Sequence, residues 1–257
     1  MWGAIIGDIA GSIYEYEQFT NVHKIDNVSD LIPSNGFYSD DTILTIGIID
    51  AIINKGNYEE YLRAYAMKYL TYHPNCKPYF KAPFSPNFIK WVNGETEGKS
   101  SGNGAIMRIS GIGYLFNNLE DVISNSIAST IPSHNSIDAL NNAKLVSMII
   151  FYSRKGLTKE EIINKLNIKL KYKEFKSFNY TCEETIDNCL YAVFTSNSFE
   201  ESIKKVISYG ADTDTNACIV GSIAEAMYGI DKSIIDKAKE KLPVEFINVL
   251  NKAYNIL

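Results

Sequence analysis

Two short acidic motifs stand far apart in this chain, Ser39-Asp40-Asp41-Thr42 and Asp212-Thr213-Asp214-Thr215, and each opens a long apolar run with helical spacing. The start of a helix leaves up to four backbone N–H groups without partners, and one side-chain oxygen is enough to cap it. Either motif carries more carboxylates than capping uses. Taken alone, each reads as an N-cap with acidic first-turn residues, which the helix dipole favours without a metal. Taken together, they supply the hard oxygen ligands that hold one or two Mg²⁺, Mn²⁺ or Ca²⁺ ions between facing helix ends.

Few other residues have the chemistry to act beside such a centre. Glu15, in the run Tyr14-Glu15-Tyr16-Glu17, is expected to end the first helix, where the negative dipole end disfavours a carboxylate unless a cation compensates. Gly102-Asn103-Gly104-Ala105 precedes a helical pattern and offers exposed backbone N–H groups at a positive helix end, a suitable seat for a diphosphate. Arg108 has two readings, a phosphate contact or an internal ion pair. His134 follows Pro132-Ser133 and is expected to open a helix. His73, Phe80 and Phe84 either shape the mouth of a site or pack.

The elements that must position these groups read as helices. Residues 3–15 place Ile5, Ile6, Ile9, Ala10 and Ile13 at helical spacing, while Gly7 and Gly11 let another backbone approach closely. Further helical patterns cover residues 43–53, 58–70, 105–116, 119–130, 135–155, 159–167, 182–195, 199–209, 213–228 and 244–256. Residues 72–86, with four prolines among aromatics, are expected to form an ordered surface loop. No period-2 alternation persists, so the chain is predicted to be all-α. The two acidic motifs need one core to meet, which makes residues 1–257 a single expected domain.

A net charge of −5 with no basic run argues against general binding to nucleic acid or anionic membranes. The amino terminus lacks a positive leader and no apolar stretch reaches membrane-span length, so a cytoplasmic protein is expected. Cys76, Cys182, Cys189 and Cys218 show no CxxC spacing and have only His23, His73 and His134 as companions, which disfavours zinc. With no coiled-coil or exposed-strand signal, a monomer is the expected state.

Read in order, the motifs resemble those of the ADP-ribosylglycohydrolase family, which includes the dinitrogenase reductase-activating glycohydrolase and its vertebrate relatives. The matching residues are Gly7-Asp8 through Gly11 to Glu15, then Ser39-Asp40-Asp41-Thr42, then Gly102-Asn103-Gly104-Ala105-Ile106-Met107-Arg108. Ser133-His134 and Gly210-Ala211-Asp212-Thr213-Asp214-Thr215-Asn216-Ala217 follow. Single motifs of this kind are common; their order over nearly the whole chain is specific. Ser39 stands where the family often has threonine and Ala211 where it often has glycine, and neither change removes a ligand oxygen. The end, Gly221 to Gly229, is most similar to short bacterial members.

The resemblance implies a compact orthogonal helical bundle with a binuclear Mg²⁺ or Mn²⁺ cleft, hydrolysing the bond between ADP-ribose and an acceptor. By position it implies Ser39, Asp40, Asp41, Asp212, Asp214 and Thr215 as metal ligands. Glu15 would approach the scissile ribose, and Gly102, Asn103, Gly104, Ala105, Met107 and His134 would contact substrate. Such hydrolysis passes through an oxocarbenium-like state, and Asp40 or Asp41 is the expected acceptor of the water's proton. The expected partner is an ADP-ribose-modified protein, with arginine as first acceptor, or a small ADP-ribose conjugate. Rival readings are a serine, O-acetyl-ADP-ribose or nucleic-acid linkage, or a non-catalytic ADP-ribose binder. A prenyl synthase is disfavoured, because Asp40-Asp41-Thr42-Ile43-Leu44 lacks the last acid of DDxxD.

Overall fold

The computed structural model describes residues 1–28, 30–74 and 82–257, and among them are fifteen helices and no strand. In chain order they are α1 (Trp2–Gly11), α2 (Glu15–Gln18), α3 (Asp40–Ile53), α4 (Tyr58–Lys68), α5 (Pro86–Val92), α6 (Gly104–Met107), α7 (Ser110–Leu115) and α8 (Leu119–Thr130). Then come α9 (Ile137–Arg154), α10 (Lys159–Leu166), α11 (Cys182–Phe194), α12 (Phe199–Ser208), α13 (Thr213–Tyr228), α14 (Lys232–Lys239) and α15 (Val244–Tyr254). The all-α expectation holds. Apolar side chains from α1, α3, α9, α11, α13 and α15 meet in one continuous core. None of the described helices is long and apolar enough to cross a membrane.

The site is positioned by the packing of α1 against α13. Every residue of α1 is buried, and its glycines recur every fourth position, on one face. A β-carbon at Gly7 would lie 2.0 Å from the Ala217 carbonyl oxygen, and one at Gly11 would lie 2.2 Å from that of Thr213. The two backbones therefore touch, and this contact carries Asp8 of α1 to Asp214 of α13. Because the obstructing atoms are main chain, Gly7→Ala must push the helices apart. It is expected to destabilise the fold by at least about 2 kcal/mol, read as a lower urea midpoint by circular dichroism.

Several boundaries differ from those expected. The first helix stops at Gly11, and the next residue, Ser12, donates its hydroxyl to the Ile9 carbonyl at 2.9 Å and accepts the Phe37 N–H at 3.1 Å. Glu15 therefore opens α2 instead of closing α1, and the dipole argument reverses: that position favours a carboxylate. The pattern over 105–116 breaks into α6 and α7, where Cys218 Sγ and Thr45 Oγ1 donate to the Met107 carbonyl, at 3.2 and 3.4 Å. His134 precedes its helix, since Ser136 takes the cap by accepting the Ala139 N–H.

Pro86 starts a helix in place of ending a loop, with Ser85 as cap and the proline at the first position, where no N–H is needed. The amphipathic α14 was not read from the sequence. Phe84 is buried against Phe88 and so packs, while His73 is exposed and lies 3.0 Å from the Pro74 carbonyl. Phe80 lies outside the described residues.

Candidate metal centre

The N-termini of α3 and α13 converge as their sequences suggested. Ser39 caps α3 by accepting the Asp41 N–H at 3.2 Å, which leaves both neighbouring carboxylates free of capping duty. Asp212 occupies the cap position of α13 without a side-chain capping bond. Carboxylate oxygens of Asp8, Asp41 and Asp214 lie within 4.8 Å of one another, as do those of Glu15, Asp212 and Asp214. Asp214 belongs to both groups. Asp40 and Glu15 are partly exposed, and Asp8, Asp41, Asp212 and Asp214 are buried.

Asp8, which the Gly7–Glu15 motif leaves without a role, is central to the site. Its Oδ2 accepts the N–H groups of Ser39, at 2.9 Å, and Thr42, at 3.1 Å, together with the Thr42 hydroxyl, at 2.5 Å. Its Oδ1 is buried with no hydrogen-bond partner, and so is Oδ1 of Asp41. Asp41 Oδ2 accepts from Ser39 Oγ at 3.1 Å and from Thr215 Oγ1 at 3.3 Å. The visible signal for Asp8 was an acidic residue inside an otherwise small and apolar helix.

Unpartnered buried carboxylate oxygens are costly unless a proton or cation meets them. Burial, then the charge of Asp214, pushes the Asp8 carboxyl up to about 7. The same two causes, in that order, raise Glu15, Asp40, Asp41 and Asp212 well above the usual carboxylate range, and burial raises Asp214. Among the described residues no lysine or arginine forms an ion pair with any of the six. An oxygen-only donor set with orphaned acceptors and a shared central carboxylate fits hard divalent cations.

Residues expected at a diphosphate have other partners. The Gly102 N–H donates to Ser100 Oγ at 3.0 Å, the Asn103 N–H to the Tyr180 carbonyl at 2.9 Å and the Ala105 N–H to the Gly102 carbonyl at 3.3 Å. These N–H groups are thus in use within the protein, two inside the turn and that of Asn103 on the segment before α11, with which the turn pairs. The Asn103 side chain instead donates to Asp212 Oδ2 at 2.7 Å and to the Asn179 carbonyl at 3.0 Å. Asn179 in turn accepts the Asp212 N–H at 2.9 Å. Sequence reasoning gave no signal for Asn179. Ala105 and Met107 are buried, whereas Gly102 and Gly104 stay partly open.

His134 is buried, and β-carbons on Gly104 and Gly102 would lie 3.3 and 3.5 Å from its Nε2. Burial, then the charge of Arg108, lowers its pKa well below the usual value, so the ring is neutral. Its Nδ1 is 2.8 Å from Ser133 Oγ, which accepts from Arg108 Nη2 at 2.6 Å. Arg108 Nη1 is buried without a partner, and burial brings that guanidinium down to about 10, leaving it charged at neutral pH. Among the described residues Arg108 forms no ion pair with an internal carboxylate, its side-chain partners being Ser133 Oγ and the Ser129 carbonyl.

A helical fold whose buried carboxylates gather at the starts of two helices defines a protein with a centre able to hold divalent cations. The ADP-ribosylglycohydrolase family model matches residues 1–255, and the chain belongs to this family of glycosidic-bond hydrolases. It is 23% identical to ADP-ribosylarginine hydrolase Tri1 of Pseudomonas putida (strain GB-1), over 89% of this chain and 69% of that one. It is 21% identical to ADP-ribosylhydrolase ARH3 of Mus musculus, over 90% of this chain and 83% of that one. A solved ADP-ribosylglycohydrolase-related protein complex matches in fold with a TM-score of 0.76 at 16% identity, covering 99% of this chain and 95% of that one.

Proposed function

We propose that the protein is a metal-dependent (ADP-ribosyl)hydrolase that releases ADP-ribose from ADP-ribosylated arginine on proteins, using two Mg²⁺ or Mn²⁺ ions. The observation that carries this reading is Asp214, whose carboxylate belongs to two oxygen clusters at once. Asp8, Asp41 and Asp214, with Ser39 and Thr215 alongside, would hold one ion; Glu15, Asp212 and Asp214 the other, with Asp40 at the rim. When bound, the ions supply charge for the ribose hydroxyls and lower the pKa of an attacking water.

The chain's own residues then have separable tasks. Asp40 or Asp41 accepts the proton of the water that attacks the anomeric carbon. Glu15, partly exposed at the edge of the cluster, faces the ribose. Asn103 holds the Asp212 carboxylate through its amide N–H. Gly102 and Gly104, partly open and without side chains, let a diphosphate approach the backbone near neutral His134, and the charge of Arg108 favours an anion there. The leaving group is the acceptor nitrogen, which departs with a proton.

Arginine is chosen because the Tri1 relatives, at 23% identity, are named ADP-ribosylarginine hydrolases. A panel of arginine-linked, serine-linked and O-acetyl-ADP-ribose substrates tests the choice. The arginine conjugate is expected to give a kcat/KM at least about tenfold above the others. A faster serine or O-acetyl substrate would replace the acceptor while leaving the metal chemistry intact. We also propose that residues 1–257 act as one domain, supported by the single continuous core, and that the protein is a monomer. A cytoplasmic site fits the three free buried thiols among the described residues.

A further inference from the structure

Glu15 and Asp212 reach the same oxygen cluster from distant parts of the chain, and one side chain ties their segments together. Gln18, the last residue of α2, is 1% exposed. Its Oε1 accepts the N–H of Ala211 at 3.0 Å and the N–H of His23 at 3.0 Å. Both partners are donors, so the amide has only one sensible orientation.

The turn it binds is conformationally demanding. Ala211 has φ 62° and Gly210 has φ 78°, the left-handed region that an alanine rarely enters unless its surroundings hold it there. A β-carbon on Gly210 would lie 2.8 Å from Gln18 Oε1 and 2.1 Å from the His23 carbonyl oxygen, so the chain after α2 is seated directly on this turn. The next residue, Phe19, stacks on Phe178 with ring centroids 4.4 Å apart. Asn179, beside Phe178, accepts the Asp212 N–H. One wall of the centre is thus assembled from three segments, with Gln18 at their junction.

We propose that Gln18 is a positioning residue for the metal centre: its carboxamide holds the 210–211 turn and thereby sets Asp212 against Glu15. This rests on the metal-centre reading above. The test is Mn²⁺ affinity of the substrate-free protein, measured from the paramagnetic resonance signal of free Mn²⁺, with thermal melts of the same samples. Gln18→Met keeps the volume and loses the acceptor; Gln18→Asn keeps an amide too short to reach Ala211, and carries the test if the first variant does not fold.

Each folded variant is expected to bind Mn²⁺ about 10- to 100-fold more weakly than the wild type. Wild-type affinity in a folded variant with a lowered melting temperature would mean that Gln18 only supports the fold, which overturns the inference. No Mn²⁺ binding by the wild type would overturn the metal-centre reading itself.

Discussion

Asp214→Asn is expected to lower kcat by at least about 10³-fold and to weaken Mn²⁺ binding throughout the centre. The amide can still accept the Thr215 N–H, now 2.8 Å from Asp214 Oδ1, so the local turn keeps its hydrogen bond. What is lost is the negative charge common to both oxygen clusters. Asp8→Asn, by contrast, removes a ligand from one cluster only, and leaves Glu15, Asp212 and Asp214 together. Titration of the two variants with Mn²⁺ separates these cases: a weakened pair of sites in the first, one weakened site in the second. An Asp214→Asn enzyme with wild-type turnover would remove the shared carboxylate from the account.

With the metal stripped by EDTA, the protein is expected to lose stability as the pH rises from 5 to 8. Burial and the charge of Asp214 hold the Asp8 carboxyl at about 7, from an ordinary value of 3.8. Between those two values the folded protein keeps a proton that the unfolded chain has released. Stability therefore falls as pH rises through this window, and the other carboxyls of the cluster shift in the same direction. At about 1.4 kcal/mol per pKa unit, the melting temperature should fall by on the order of 10 °C. Saturating Mg²⁺ is expected to cancel the fall, because the cation takes the place of the protons. A melting temperature that stays flat or rises from pH 5 to 8 in EDTA would contradict the crowding of carboxyls in the metal-free fold.

The parts of this site legible in the sequence are those whose role follows from local structure. Ser39-Asp40-Asp41 and Asp212-Thr213-Asp214 could be read because each sits at a helix start, where an excess of carboxylates over capping needs is visible without tertiary information. Gly7 and Gly11 announced a close helix contact for the same reason: a four-residue spacing defines a face. The helix starts of α8, α11 and α12 also lay where polar caps met apolar periodicity.

What escaped depends on residues brought together by the fold. Glu15 stands at the start of α2 and not at the end of α1, because α1 stops at Gly11, beside a Ser12 whose hydroxyl is tied across the fold to Phe37. Asp8 was hidden inside an apolar helix, and its partners Ser39 and Thr42 belong to α3 and its cap. Asn103 reads in sequence as a substrate contact in a glycine-rich turn, whereas its amide meets Asp212, and nothing near Asn179 or Gln18 in sequence points to the acids they support. These are polar contacts made across the chain, and no local periodicity records them.

The central claim is tested most directly by release of free ADP-ribose from an arginine-ADP-ribosylated protein, followed in Mg²⁺ and again after EDTA. We predict release in Mg²⁺ that ceases on chelation and returns when Mg²⁺ is restored. Release that continues undiminished in EDTA would contradict a metal-dependent hydrolase built on these carboxylates.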